Sequence, residues 1–178
     1  MHVKMNPLNM LQKLIAVTII SASAGAAALL PAGFVPSAGA QENAGPAVRY
    51  LPAVPDDNTL ARLVWGTMIA VDNANRTGDY SVLYALTSPG FRRSNSQATL
   101  SANFAALRAA RVDVGRAILM SPTYYIPPSV DASGNLRVRG GFDYRPQSIR
   151  FDLIFVQVGG GWRINAISVV EMDFAAPK

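Results

Sequence analysis

Residues 147–172, QSIRFDLIFVQVGGGWRINAISVVEM, contain two runs in which large apolar residues recur at every second position. In the first run, one side carries Ile149, Phe151, Leu153 and Phe155. A period of two places alternate side chains on opposite faces of a β-strand. The three glycines at 159–161 form a connection short enough for neighbouring antiparallel strands. We therefore predict two paired strands, over 147–158 and 162–172, with the aromatic side facing a hydrophobic core.

The same alternation extends upstream and predicts strands over 113–126 and 136–144. Together the four segments predict an antiparallel sheet of about four strands. The pair Gly140-Gly141 lies in the middle of one of them. Adjacent glycines would let the sheet bend sharply, although a plain irregularity in the strand pairing is an equal alternative.

Before residue 113 the apolar period is that of helices. From Leu60 to Val71 the spacing indicates one buried helical face, in a helix that begins near Asp57 and ends between Asn75 and Gly78. A second, shorter helix is predicted from Asp79 to the Ser88-Pro89-Gly90 break. A third is predicted from Ser94, which forms a Ser-x-x-Gln capping box with Gln97. The fold class is α+β, with three N-terminal helices packed on one face of a curved antiparallel sheet.

The first forty residues have the pattern of an export signal. Two lysines precede an uncharged run over 14–30, and Ala38-Gly39-Ala40 is a small-x-small cleavage site. The prediction is a signal peptide over 1–40, a flexible lead-in over 41–56 and a periplasmic or secreted domain. The alternative is an uncleaved membrane anchor, because the run approaches the ~20 residues that span a bilayer.

The composition excludes several kinds of chemistry. The one histidine, His2, lies in the leader, and there is no cysteine. Without imidazole or thiolate, the exported domain has no base for a serine triad, no disulfide and no thiolate metal site. The acids are dispersed and no glycine-rich nucleotide fingerprint is present, so we predict neither metal nor cofactor. Nucleic acid is not an expected partner, since the arginines are scattered and form no basic stripe.

The second face of the predicted sheet is unusual because it mixes charged residues with apolar ones. Its acids, Asp143 and Asp152, alternate onto this face and are placed to pair with cross-strand arginines. The apolar members are more extensive than a solvated sheet face normally carries. We interpret them as a homodimer face, against the alternative that β-branched residues merely express strand propensity. This predicted dimer face consists of Ile154, Val156, Ile167 and Val169.

Three phrases of the chain resemble a known family. They are Thr77-Gly78-Asp79-Tyr80, the segment LYALTSPGFR over 83–92, and Gly161-Trp162-Arg163-Ile164. In this order they resemble the nuclear transport factor 2-like superfamily, which includes ketosteroid isomerase and scytalone dehydratase. The likeness spans about residues 57–172, within a domain placed at 57–174. It implies a cone-shaped α+β barrel, a pocket between helices and sheet, and frequent dimerisation through sheets, but not an activity.

The pocket that this resemblance implies would be lined from both the helices and the sheet. The expected lining residues are Met68, Tyr84, Phe104, Phe142, Phe151, Phe155 and Trp162. Asp72 and Tyr144 are the candidate catalytic pair, because a carboxylate in an apolar cone has a raised pKa and acts as a general acid or base. The plainer interpretation is that Asp72 is a hydrogen-bonded helix-edge residue and Tyr144 a packed aromatic.

The function that we predict from the sequence is that of an exported, non-catalytic domain that holds a small apolar ligand or docks an envelope protein. The alternative is a small lyase or isomerase that uses the carboxylate and tyrosine pair. A third hypothesis is adhesion of the arginine-bearing sheet face to an anionic envelope component.

Overall fold

The computed structural model describes residues 17–20, 51–144 and 147–173. The predicted leader over 1–40 therefore lies outside the described residues, apart from the backbone of 17–20. Of the predicted lead-in, only 51–56 is described, and it has no regular secondary structure.

Helix α1, Asp57–Thr77, is the longest helix of the described chain. It begins where Asp56 accepts a hydrogen bond from the Thr59 N–H at 2.8 Å, which satisfies a free amide of the first turn. It ends at Gly78, whose φ of 77° is the left-handed conformation that glycine adopts most easily. Both ends agree with the predicted bounds. The helix buries one apolar side, formed by Leu60, Val64, Met68, Val71 and Ala74.

Four short helices follow: α2 Ser81–Ala85, α3 Pro89–Ser94, α4 Gln97–Asn103 and α5 Ala105–Ala109. The predicted capping box at Ser94 does not form, because Ser94 is the last residue of α3. Ser96 caps α4 instead, since its side chain accepts a hydrogen bond from the Thr99 N–H at 3.0 Å.

The segment after α5 differs from the sequence prediction. A 3₁₀ helix occupies Val114–Leu119, and strand structure begins at Thr123 rather than at residue 113. Val114 and Ala117 are both buried, at the three-residue spacing that aligns side chains on a 3₁₀ helix. Asp113 caps the turn by accepting a hydrogen bond from the Arg116 N–H at 3.2 Å. The local cap and this spacing favour a helical turn over an extended strand.

The sheet is open and antiparallel, and it contains four strands in the described C-terminal part. These are β2 Thr123–Val130, β3 Asn135–Asp143, β4 Gln147–Val158 and β5 Gly161–Asp173, in the spatial order β5-β4-β3-β2. The backbone of β1, Val17–Ile20, pairs antiparallel with β5 at the edge of the sheet. Several helices and an antiparallel sheet confirm the α+β class.

Strand β5 contains a β-bulge at Asn165. Ile154 of β4 pairs with Ala166, whereas the next residue, Phe155, pairs with Ile164. Asn165 is therefore the extra residue of β5 at this point. One extra residue in a strand reverses the alternation of every side chain beyond it.

The bulge corrects the predicted dimer face. Ile167 and Val169 pair with Leu153 and Phe151, so they point into the core and are only 1% and 0% exposed. The prediction that Ile167 and Val169 lie on the outer face is wrong, because strict alternation along β5 does not hold past Asn165. The other two members of the predicted set remain on the outer side of β4.

A loop between helices fixes the bulge from the edge of the sheet. The Ser88 N–H donates to the Ile164 carbonyl at 2.7 Å, and the Ile164 N–H donates to the Leu86 carbonyl at 3.1 Å. The Ser88 hydroxyl also donates to Oδ1 of Asn165 at 2.6 Å. The backbone of β5 is thus held on both sides at the residue where its alternation changes.

Gly140 permits a close approach in the middle of the sheet. A Cβ at this position would lie 2.2 Å from the Thr123 carbonyl oxygen and 2.8 Å from the Phe151 ring. The pairing irregularity lies on the facing strand, where the register of β2 shifts between Tyr124 and Ile126. Glycine is required here because β2 and a core aromatic occupy the space of a side chain.

Candidate functional site

The residues predicted to line a pocket are mostly core residues. Five of them are at most 4% exposed and belong to one hydrophobic cluster: Met68, Phe104, Phe142, Phe151 and Phe155. Tyr84 and Trp162 are partly buried and pack against that cluster. The rings of Phe142 and Phe151 are in contact, with centroids 5.6 Å apart. Side chains therefore occupy the space between helices and sheet where these residues meet.

A small opening reaches this core at one end of the sheet. It has a volume of about 130 Å³ and is lined in part by Phe155, Trp162 and Ile164, with Leu63 and Gly66 from α1. Ligand pockets usually measure about 300–1,000 Å³. The opening accommodates a few atoms of a ligand rather than a whole substrate.

Asp72, the candidate acid or base, is bonded to the backbone of the 3₁₀ helix. Its Oδ1 accepts a hydrogen bond from the Gly115 N–H at 3.1 Å, and its side chain is 13% exposed. Oδ2 lies 3.7 Å from the guanidinium of Arg76, one helical turn away. These contacts are those of a helix-edge carboxylate that anchors a neighbouring turn.

Tyr144, the candidate phenol, contacts the same turn at another point. Its hydroxyl donates to the Asp113 carbonyl at 3.1 Å, and the Arg116 guanidinium lies 4.4 Å from the centre of its ring. Burial of the ring raises the pKa of Tyr144 to about 12; Arg116 lowers it, and Asp113 and Glu171 raise it further. The phenol is therefore protonated at neutral pH. Both candidate groups bond to the backbone of residues 113–115, and we find no contact between them in the described chain.

A cleft larger than this opening lies between the C-terminal half of α1 and the end of α5. It has a volume of about 430 Å³ and opens to solvent. Its walls carry three arginines, two aspartates, an amide and two apolar side chains: Asp72, Asn75, Arg76, Leu107, Arg108, Arg111, Val112 and Asp113. We refer to it as the arginine cleft.

A chain of hydrogen bonds orients the amide in this cleft. Arg108 donates to the Tyr80 hydroxyl and, at 2.8 Å, to the Ser101 carbonyl. A guanidinium only donates, so the Tyr80 oxygen accepts from Arg108 and its proton goes to Oδ1 of Asn75, 2.6 Å away. The free end of the amide is then Nδ2 of Asn75, a buried donor without a partner among the described residues.

Arg111 has an unusual backbone conformation at the edge of the cleft. Its φ of 53° is the one positive value at a non-glycine residue in the described ranges. The Arg111 N–H bonds to the Arg108 carbonyl at 3.0 Å and the Val112 N–H to the Leu107 carbonyl at 3.1 Å. This pattern is a Schellman motif, in which the left-handed position is usually glycine. The Arg111 side chain is exposed and makes no ion pair with another described residue.

The outer face of the sheet carries the ion pairs that the sequence predicted. Arg137 makes two hydrogen bonds to Asp152, at 2.9 and 2.5 Å. Arg150 contacts Asp143 at 2.5 Å, and the Tyr125 hydroxyl donates to the same carboxylate at 3.0 Å. The pairing of Asp143 and Asp152 with cross-strand arginines is confirmed.

Two apolar residues of the predicted dimer face, Ile154 and Val156, lie on this outer face and are half-buried. On β2, the strand at the end of the sheet order, Tyr125 and Ile126 are 45% and 42% exposed. The outer face of β4 therefore carries half-buried apolar side chains beside the ion-paired network.

Sequence reasoning did not single out the residues of the arginine cleft other than Asp72. The i, i+4 spacing of Asp72 and Arg76 was visible, as was Arg108-x-x-Arg111 at a helix end. The sequence does not indicate the left-handed conformation at position 111, because the residue there is arginine and glycine is the usual signal.

Two kinds of site are absent from the part of the chain that the structure describes. No group of three or more His, Cys, Asp or Glu side chains is placed to hold a metal ion. Within the same residues, no helix has both the length and the apolar character needed to cross a membrane.

Comparisons with protein-family models, curated proteins and solved structures find no match to the chain.

Proposed function

We propose that the chain is an exported, non-catalytic binding domain whose ligand or partner contacts its surface rather than a deep internal pocket. The observation that carries this proposal is the packed interior: Phe104, Phe142, Phe151 and Phe155 are at most 4% exposed and form one cluster. A substrate cannot enter that space without displacing core side chains from close packing.

We further propose that the domain has the cone fold of the nuclear transport factor 2-like superfamily, with its N-terminal helices packed on one face of a curved sheet. Local structure at the resembling phrases supports this. Gly78 ends α1, and the carboxylate of Asp79 accepts a hydrogen bond from the Ser81 N–H at 2.8 Å to begin α2. Gly161 begins the last strand. Three register shifts, two in the pairing of β2 with β3 and one in that of β5 with β4, are the kind of feature that bends a sheet.

Export to the periplasm or the medium, with cleavage after Ala40, is part of the same proposal. So is a homodimer through the outer sheet face, now with Ile154 and Val156 as its apolar members. A polar face with paired charges suits an interface that associates weakly, because paired charges leave little net attraction for a partner.

The lyase or isomerase alternative requires an acid or base and a phenol that face one substrate. Asp72 and Tyr144 instead hydrogen-bond to the backbone of the same short turn. Of the two, Asp72 lines the arginine cleft and Tyr144 does not. These contacts favour a structural role for both residues.

The test is native mass spectrometry of the full chain after expression and purification from the envelope fraction. We expect a mature chain that begins at Gln41 and carries a small molecule or a protein partner. After incubation at 25 °C, a recovered small molecule should keep its mass. If the wild type converts that molecule and the variants D72N and Y144F do not, the non-catalytic proposal is overturned.

A further inference from the structure

We propose that the arginine cleft binds a small organic anion, with a carboxylate or phosphate headgroup on the arginines and a short apolar body against Val112. This inference rests on the proposed binding function and names the class of ligand. It concerns the cleft between α1 and α5, not the space between helices and sheet.

The acidic side chains of the cleft have partners, whereas two of its three arginines are paired weakly or not at all among the described residues. The two aspartates already have partners: Asp72 accepts from the Gly115 N–H, and Asp113 accepts from the Arg116 N–H. Arg76 is 78% exposed, and its ion pair with Asp72 is a long 3.7 Å. Arg111 has no ion pair within the described ranges. Two guanidiniums are thus available to an added oxyanion, and their planar forks suit carboxylate and phosphate geometry.

The amide of Asn75 adds a donor that lacks an acceptor among the described residues. The hydrogen-bond chain from Arg108 through Tyr80 fixes Oδ1 as an acceptor, so the side chain presents only donors at its other end. Buried donors are rarely left without a partner, because the lost hydrogen bonds with water are not replaced. An oxygen of a bound anion at this wall would supply the missing acceptor.

The backbone of Arg111 is strained at the edge of the cleft. Glycine at this position would remove the unfavourable contact between Cβ and backbone that a left-handed residue makes. A strained residue beside a cleft points to a role of its side chain, here the presentation of a guanidinium to the cleft. Val112 is half-buried and provides apolar surface beside Arg111, whereas Leu107, the other apolar residue of the cleft, is 0% exposed. The apolar surface of Val112 favours an organic anion over a bare inorganic one.

The experiment measures binding of four probes to the full chain by NMR chemical-shift titration. The probes are hexanoate, hexyl phosphate, inorganic phosphate and uncharged hexanol. We expect saturable binding of hexanoate or hexyl phosphate, and at least tenfold weaker binding of inorganic phosphate and of hexanol. Whichever of the two organic anions binds more tightly shows whether the cleft prefers a carboxylate or a phosphate headgroup. Equal binding of hexanol would overturn the anion site, and equal binding of inorganic phosphate would overturn the organic ligand.

Three variants connect binding to the cleft. R111Q removes the charge with little change of shape and should weaken organic-anion binding at least tenfold. R163Q is the matched control, because Arg163 is an exposed arginine on β5 that does not line the cleft. R111G should weaken binding as much as R111Q while raising the melting temperature by a few degrees, since it relieves the left-handed strain.

These results separate the two proposals. Unchanged binding in R111Q, with circular dichroism that shows a folded protein, would overturn the anion site. A neutral ligand recovered with the native chain would also overturn it, yet would leave the non-catalytic binding function standing. Chemical conversion of a recovered compound would overturn that function instead.

Discussion

The carboxylate of Asp72 and the backbone N–H of Gly115 form a 3.1 Å hydrogen bond that joins α1 to the 3₁₀ helix. The two residues fit so closely that a Cβ on residue 115 would lie 2.9 Å from Oδ2 of Asp72. The bond gives a mostly buried carboxylate a hydrogen-bond partner and holds the 3₁₀ helix against α1.

This pair predicts a coupled effect on stability. D72A should lower the free energy of unfolding by about 1–3 kcal/mol, because the Gly115 N–H loses its acceptor. G115A should also destabilise the wild type, but not the D72A background, where the carboxylate that blocks Cβ is gone. Urea unfolding of both single variants and the double variant checks this, with D72N as the control that keeps an acceptor. Additive costs would contradict the coupling.

The two glycines at positions 140 and 66 predict opposite responses to alanine. G140A should destabilise the fold by about 1–3 kcal/mol or more, because the added Cβ overlaps the Thr123 carbonyl and the Phe151 ring. G66A is the matched control, because Gly66 lies in α1 and a Cβ there would meet no atom within 4 Å. Alanine at this helical position should raise the free energy of unfolding by about 0.5–1 kcal/mol. Thermal melts of the two variants should shift in opposite directions. A tolerated G140A would disprove the close approach of β2.

The bulge in β5 predicts which side chains of the sheet stabilise the core. I167A should cost about 2–5 kcal/mol, because Ile167 is buried opposite Leu153. I154A should cost less than about 1 kcal/mol, because Ile154 lies on the half-exposed outer face. Chemical denaturation measures both costs, and sedimentation shows whether I154A alone weakens self-association. Equal costs would mean that Ile167 does not face the core.

The phenol of Tyr144 predicts a loss of stability at high pH. Its pKa is raised from 10.0 to about 12, so between these values the folded chain keeps a proton that the unfolded chain has lost. This stabilisation is complete below pH 10 and disappears as the pH rises towards 12. Tyr80, Tyr124 and Tyr125 also have raised pKa values. The contribution of Tyr144 is therefore isolated by comparing the wild type with the variant Y144F.

The measurement for Tyr144 is urea unfolding of the wild type and Y144F at pH 8, 10 and 11.5. The wild type should lose more stability than Y144F between pH 10 and 11.5. In an ultraviolet absorbance titration, Y144F should show one fewer tyrosine ionising at high pH than the wild type. Parallel pH profiles of the two proteins would contradict the raised pKa.

The sequence predicted the elements whose signals extend over many residues. Helix α1 has both a long apolar period and a cap at each end, and the strands β3 and β4 alternate without interruption. The charge pairs of the outer face followed from that alternation. These features are predictable because several weak preferences agree over one segment.

The features that escaped prediction depend on one residue or on tertiary contacts. Asn165 changes the faces of β5 through a single bulged position, which the loop at Leu86–Ser88 holds from outside the strand. Arg111 adopts a left-handed conformation that is usually recognised in a sequence by glycine. The arginine cleft joins residues more than thirty positions apart, on α1 and on α5 and the segment after it, so no local sequence pattern predicts it.

The bulged Asn165 makes β5 sensitive to residue count as much as to composition. Removing Asn165 would leave Ala166 opposite Ile154 and Ile167 opposite Leu153, so the same side chains of β5 would still face the core. Removing one residue beyond Ala166 while the bulge is kept would instead turn the side chains that follow to the opposite face. The final strand can therefore lose its bulged residue without exposing its core side chains, but it cannot lose a residue after the bulge in the same way.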